Sequence, residues 1–200
     1  MRLAISLLIV VLGQASYVSG QENISDSSYM CAHKITVSIS NLANLDNNRL
    51  SAVKEAVFSQ ENLTRGSSVY FVGWQGALGS VGHNYSLELS DNPNADIEVL
   101  LTTVEDPQYN GFTTVHYLSG HIASARIVIY NADKIPSAAL ANLIRHEMGH
   151  ALGLSHSNLD SSIMYPLVSY APKYISDNDL AMFKSGNSDL IYITTACTSV

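Results

Sequence analysis

Residues 146–156 read HEMGHALGLSH, and this stretch decides both the fold and the chemistry of the chain. On a helix, His146 and His150 lie one turn apart and project from the same face. Two imidazoles placed in this way can bind one metal ion. Glu147 lies about 100° around the helix from His146. Its carboxylate is therefore kept from sharing the metal and is suited to take a proton from a metal-activated water.

The second half of the stretch supplies a turn and a third ligand. Gly153 adopts a positive φ at low cost, so the helix can end there and the chain can turn back. That turn brings His156 to the metal. Three imidazoles leave a fourth position open to water, as in catalytic rather than structural zinc sites. The alternative is a histidine-rich helix end with core or surface roles, and the full pattern argues against it.

The stretch and its surroundings resemble the metzincin metalloproteases, whose signature is H-E-x-x-H-x-x-G-x-x-H followed by a methionine turn. Met164 lies in the run SIMYP at residues 162–166 and resembles the methionine of that turn, which lies beneath the metal ligands. Ser157 and the short spacing from His156 to Met164 are similar to the matrixin branch. The close resemblance covers about residues 137–183, and a looser one extends back to about residue 34.

The resemblance implies an α+β fold of the metzincin, or zincin-like, type. A twisted mixed β-sheet packs on the active-site helix, and a Met-turn and a C-terminal helix follow. The final helix is expected near residues 176–185. Asp179 near its start resembles a residue that supports the Met-turn, although a solvated carboxylate is commoner at a helix start.

The hydrophobic pattern predicts individual elements. Strands are expected where apolar residues alternate with polar ones or β-formers cluster, at 35–39, 68–74, 96–103, 112–119 and 122–130. The strand at 68–74 ends at a cluster of glycines, residues 73, 76, 79 and 82. Asp46 is the expected N-cap of a first helix and Ser137 that of the metal-binding helix. The tail, residues 189–200, either adds a strand or only carries a cysteine.

By this resemblance the protein is a zinc-dependent endopeptidase. His146, His150 and His156 hold one catalytic Zn²⁺, and Glu147 is the general base for hydrolysis of internal peptide bonds. Its partners are protein or peptide substrates, which pair with the edge strand near residues 112–119. Residues 166–174 wall the pocket for the side chain after the cleaved bond. A catalytically silent extracellular module that binds metal, or a zinc hydrolase acting on other amides, is the alternative.

The first twenty residues have the pattern of a secretory signal peptide. Met1 and Arg2 give a positive start, residues 3–12 are almost purely apolar, and small residues at 18–20 suit cleavage. The apolar run is too short for a membrane-spanning helix. The expected organisation is a signal peptide at 1–20 and one secreted metalloprotease domain at 21–200. An uncleaved anchor is the alternative.

The charge pattern excludes two classes of partner. The formal net charge is −7, and the few lysines and arginines do not cluster. This argues against binding to nucleic acid or to an anionic membrane surface. We expect a monomer without stable membrane association after the signal is cleaved. Calcium is a further candidate ligand, for the acidic residues Asp91, Asp96, Glu105 and Asp106.

The two cysteines predict a disulfide. Cys31 and Cys197 lie near the two ends of the expected mature chain, and an even count in an oxidising compartment favours pairing. Such a bond would close a very long loop, worth on the order of 5 kcal/mol in the entropy model. Matrixins use a propeptide cysteine to occupy the zinc until activation, but the motif around that cysteine is absent here. Intact-mass measurement should find no free thiol without reduction. Two cysteines that alkylate readily in the native protein would restore the cysteine-switch interpretation.

We predict one zinc ion per chain. Many matrixins hold a second, structural zinc through three histidines and one aspartate before the active-site helix. Here His116 and His121 are the candidates, but the earlier His-x-Asp pair is absent and Arg126 lies where the family places its last histidine. Metal analysis of protein purified without added metal should give a stoichiometry near one. A value near two that falls to one in His116→Ala would contradict the prediction.

Overall fold

The computed structural model describes residues 34–81, 85–118 and 121–186. The strands and helices follow in this order: β1 (Lys34–Asn41), α1 (Asn47–Phe58), β2 (Asn62–Arg65), β3 (Ser68–Phe71), α2 (Trp74–Ser80), β4 (Ser86–Leu89), β5 (Ile97–Leu101), β6 (Gly111–Leu118), β7 (His121–Ile129), α3 (Ser137–Ala151), β8 (Ile175–Ser176) and α4 (Asp177–Gly186). A single 3₁₀ turn, Ala132–Lys134, leads from β7 towards α3.

The main sheet has five strands in the order β4-β1-β5-β7-β6. The first four strands are parallel, and β6 pairs with β7 in the antiparallel direction. Strand β6 therefore forms one edge of the sheet, as the sequence predicts. The mixed sheet over a long helix confirms the predicted fold class.

The core lies between this sheet and helix α3. Alternate residues of β5 and β7, such as Ile97, Val99 and Ile127, are fully buried, which is the period-two pattern of a strand with one face inward. Helix α3 presents Leu140 and Ile144 to the core at the spacing of one helical turn. It packs against β6, β7 and α1. Nearly the whole of α3 is buried, including its polar side chains.

A second, small sheet forms from β2, β3 and β8. Its strand β8 pairs with Tyr70 and Phe71 of β3, which ties the part of the chain after α3 to the part before it. The segment between α3 and β8 is irregular and lies under the buried helix.

The structure adds a helix that the sequence did not predict, α2, at the glycine cluster that follows β3. Gly73 and Gly76 have a packing role there. A Cβ atom on Gly73 would meet the carbonyl oxygen of Glu55 at 2.5 Å, and one on Gly76 would meet the backbone of Gln60 at 3.0 Å. These glycines let α2 approach the end of α1 closely, so a composition typical of loops serves helix packing.

The predicted cap of α1 is confirmed, and that of α3 is wrong. The Asp46 carboxylate accepts a hydrogen bond of 2.9 Å from the N–H of Arg49. At α3 the N-cap is Pro136, and Ser137 is already helical, so no side chain caps this end. Strands β2, β4 and β8 were not predicted, because segments of two to four residues carry too little periodicity.

Several sequence predictions lie outside the described residues. These are the signal peptide at 1–20, Cys31, Cys197 and the tail at 189–200. Among the described helices, none is both long enough and apolar enough to cross a membrane.

Candidate metal centre

Helix α3 brings two of the three histidines together. The Nε2 atoms of His146 and His150 lie 3.1 Å apart. The Nδ1 atom of His146 lies 2.8 Å from the carbonyl oxygen of Ile163, and that of His150 lies 2.7 Å from the carbonyl oxygen of Leu154. A carbonyl only accepts hydrogen bonds, so each Nδ1 carries the proton and each Nε2 presents its lone pair to the other rings.

The end of α3 positions the third histidine. Gly153 has φ +99°, its N–H donates to the carbonyl of His150, and the N–H of Leu154 donates to the carbonyl of Gly149, each at 2.9 Å. These two bonds form a Schellman motif, which ends the helix and reverses the chain. The Nε2 atom of His156 then lies 3.2 Å from that of His150.

The three imidazoles fit a zinc ion. Tetrahedral Zn–N bonds of about 2.0–2.1 Å place ligand nitrogens about 3.3–3.4 Å apart, close to the observed separations. The carbonyl partners at Nδ1 are the outer contacts that orient histidine ligands in metal sites. Within the described residues, His146, His150 and His156 form the only group of three or more His, Cys, Asp or Glu side chains with ligand spacing.

Burial keeps these histidines in the form that binds metal. Desolvation lowers the pKa of His146 to about 4, against the opposing effect of its hydrogen bond to Ile163. It also lowers the pKa of the His150 and His156 side chains. Metal ligation requires a neutral imidazole. The site is therefore in its binding form at neutral pH before any ion arrives.

The methionine turn lies directly beneath the histidines. Met164 is fully buried, and its carbonyl oxygen accepts a 2.9 Å hydrogen bond from the N–H of Ser157, just after His156. A Cβ atom on Gly149 would lie 2.3 Å from the Met164 sulfur and 3.3 Å from the Trp74 ring. Gly149 therefore provides the space into which the methionine packs.

Asp179 holds the turn from the C-terminal helix. Its side chain is fully buried and bonds to the Ser162 hydroxyl, which in turn accepts a 3.0 Å hydrogen bond from the Met164 N–H. The other carboxylate oxygen accepts from the N–H and hydroxyl of Ser176, at 2.8 and 2.6 Å. The expectation of a solvated carboxylate is thus wrong, because Ser162 and Ser176 supply three donors to this carboxylate.

Glu147 lies against the edge strand. Its carboxylate accepts a 2.6 Å hydrogen bond from the Thr113 hydroxyl, and a Cβ atom on Gly111 would lie 2.6 Å from its Oε1. Desolvation raises the pKa of Glu147 to about 7, although the Thr113 hydroxyl acts in the opposite direction. A carboxyl group with such a pKa can both accept and return a proton near neutral pH.

Two buried polar side chains of α3, Asn142 and Arg145, hold the segment after the Met-turn. The Asn142 amide donates to the carbonyls of Ser169 and Ala171, at 2.8 and 2.7 Å, and its oxygen accepts from the N–H of Lys173 at 2.9 Å. Arg145 donates to the carbonyls of Val72 and Lys173, at 2.6 and 3.1 Å. These hydrogen bonds connect the predicted pocket wall at 166–174 to the helix that carries His146 and His150.

Sequence reasoning missed Thr113, Asn142, Arg145 and Gly149. One signal was available for Asn142, because it precedes His146 and His150 by one and two helical turns and so shares their face. No local pattern indicates Thr113, which reaches Glu147 across 34 positions of the chain.

Two of the acidic candidates for calcium have protein partners in the described part of the chain. Asp96 accepts hydrogen bonds from the N–H and hydroxyl of Thr36, each at 2.7 Å, and Glu105 pairs with Lys134. Calcium binding stays a prediction. His116 is exposed, and Arg126 forms a 3.0 Å ion pair with Glu98 on the neighbouring strand.

We predict that Gly149→Ala disturbs the site. The new methyl group cannot occupy the space of the Met164 sulfur, so the buried Met164 side chain must move, at a cost of about 1–3 kcal/mol in the free energy of unfolding. Urea unfolding and zinc competition with a chromophoric chelator should show lower stability and weaker binding. The control is Gly79→Ala, on an exposed helix position with no atom near the added methyl. Equal behaviour of the two variants would contradict the prediction.

Two comparisons bear on these observations. Residues 121–185 match the family model described as Matrixin (Peptidase_M10). No curated protein matches the chain. The matched region holds the three histidines, Glu147 and Met164, and the family is one of zinc metallopeptidases. Over residues 121–185 the chain is therefore similar to the matrixins, as its sequence predicts.

Proposed function

We propose that the protein is a secreted zinc-dependent endopeptidase in which Glu147 is the general base. One observation carries the proposal. Three imidazole nitrogens converge within a matrixin-type region, and a buried carboxyl group with a pKa of about 7 lies on the same helix. The extracellular location follows from the signal-peptide pattern of residues 1–20.

The chemistry divides between the ion and the side chains. A zinc ion at the three imidazoles would supply Lewis acidity, towards water and towards the scissile carbonyl. Glu147 accepts the proton of the attacking water and returns it to the departing amine. The Thr113 hydroxyl holds the carboxylate in place during both transfers. A nearby cation favours the ionised form, so metal loading lowers the pKa of Glu147 below its value in the metal-free protein.

Strand β6 is the proposed docking edge for the substrate. It pairs with β7 on one side, and no described strand pairs with its other side. An extended peptide can add to such an edge through main-chain hydrogen bonds. Since Gly111 and Thr113 lie against Glu147, a peptide on this edge passes the catalytic carboxylate. Residues 166–174, which Asn142 holds to α3, are the proposed wall of the pocket for the side chain after the cleaved bond.

Peptide hydrolysis tests the proposal. Wild-type protein should cleave internal bonds of a peptide library, and a zinc chelator should abolish cleavage. Glu147→Ala should retain zinc but lose about a hundredfold or more in rate, because the proton acceptor is gone. A variant as fast as wild type would show that the base is another group. Peptide binding that never yields fragments, with zinc bound, would identify the protein as a silent binding module.

Removal of the Thr113 hydroxyl should change the pH profile. The hydrogen bond stabilises the Glu147 carboxylate, so Thr113→Val raises the pKa of Glu147. The acidic limb of kcat/KM then moves to higher pH, by about one unit for a bond to a charged group. The matched control is Thr114→Val, at the neighbouring position on the opposite face of β6. An unchanged limb in Thr113→Val, or the same shift in both variants, would disprove the assignment.

A further inference from the structure

A cleft of about 460 Å³ lies next to the start of β6 and apart from the histidines. Its walls are the loop that precedes β6, the turn between β7 and α3, and Tyr170 from the pocket wall. We propose that this cleft is an extended substrate subsite for a lysine or arginine side chain, two to four residues after the cleaved bond. This inference rests on the proposed peptidase function.

For a peptide that pairs antiparallel with β6, this cleft lies on the C-terminal side of the scissile bond. Glu147 lies against Gly111 and Thr113, so the reaction takes place near the beginning of the strand. A peptide antiparallel to β6 runs from residue 118 towards residue 111. Its residues after the cleaved bond therefore continue past Asn110, which lines the cleft. Asn110 directly precedes Gly111, and an extended peptide advances about 3.3 Å per residue. A side chain a few residues after the cleaved bond can therefore reach the cleft.

The charges of the cleft favour a cation. Glu105, Asp106 and Lys134 line it, so two carboxylates face one ammonium group and one negative charge is unbalanced. Lys134 forms its ion pair with Glu105. The Asp106 Oδ1 accepts hydrogen bonds from the N–H groups of Gln108 and Tyr109, each at 2.8 Å. These bonds hold the second carboxylate in position at the rim.

Tyr170 offers an aromatic surface on a backbone segment that hydrogen bonds hold to α3. Tyr170 is 56% exposed and lines the cleft. The carbonyls of its two neighbours, Ser169 and Ala171, both accept hydrogen bonds from the buried Asn142 amide. The ring therefore stands at the rim with its backbone held on both sides. An aromatic face beside carboxylates is a favourable environment for a guanidinium or ammonium group.

The test uses quenched fluorescent peptides that contain one cleavable bond. Arginine, alanine or glutamate is placed at the second, third and fourth positions after that bond, and kcat/KM is measured for each. At one of these positions, the arginine peptide should have a kcat/KM about fivefold higher than that of the alanine peptide. The gain comes from an aromatic contact and one exposed ion pair. The peptide with glutamate at that position should be cleaved more slowly than the peptide with alanine there.

Two variants and one control locate the effect. In Tyr170→Ala and in Asp106→Asn the ratio of arginine to alanine peptides should fall towards one. Asparagine keeps an oxygen for the two backbone N–H groups, so the loop retains its hydrogen bonds. The control is Asp91→Asn, an exposed acidic residue that does not line the cleft, and it should keep the wild-type ratio.

The outcomes separate this inference from the proposed function. If no peptide of the series is cleaved, the peptidase assignment itself fails. If the alanine peptide is cleaved but the ratio is one at every position, the subsite alone is wrong. Titration of Glu147→Ala protein with calcium tests the alternative that the cleft binds a calcium ion instead of a side chain. Calcium binding that is lost in Asp106→Asn, with a ratio of one, would assign the cleft to an ion and overturn the proposal.

Discussion

The structure depends on the burial of polar side chains along helix α3. Asn142, Arg145, His146, Glu147 and His150 are all almost inaccessible to solvent. A buried polar group without a partner costs roughly 1–3 kcal/mol, so five of them would unfold a domain of ordinary stability. Each is instead satisfied by groups from elsewhere in the chain. The irregular segment after the helix takes its course because it supplies most of those partners.

The same hydrogen bonds that stabilise the fold prepare the metal site. Carbonyls of Ile163 and Leu154 orient the rings of His146 and His150, and Asp179 holds the Met-turn through Ser162. The ligands are thus arranged by packed backbone. Little rearrangement is needed when an ion binds, which is the physical content of preorganisation. Folding and metal binding are therefore linked. If the irregular segment between α3 and β8 unfolded, the histidine rings would lose the carbonyl partners that orient them.

The edge strand contributes in two ways that usually conflict. An exposed edge is a hazard for aggregation, and short or protected edges are the common remedy. Here β6 has one edge with which no described strand pairs, and Glu147 lies against the first residues of this strand. Its inner residues meanwhile set the environment of Glu147, through the Thr113 hydroxyl and the absent side chain of Gly111. In the proposed peptidase, one strand would thus both receive the peptide and adjust the pKa of the general base.

The sequence alone determined the features that depend on neighbours within one or two helical turns or one strand. The ligand spacing, the Gly153 turn, the Asp46 cap and the alternating strands β1, β5, β6 and β7 follow from local periodicity and backbone preference. Only the tertiary structure decided the rest. Helix α2 was hidden because its glycines serve close packing, and Thr113, Arg145 and the cleft at Tyr170 arise where distant segments meet. Local rules fix which residues share a face, whereas the partner across a packed interface depends on how the whole chain fills its core.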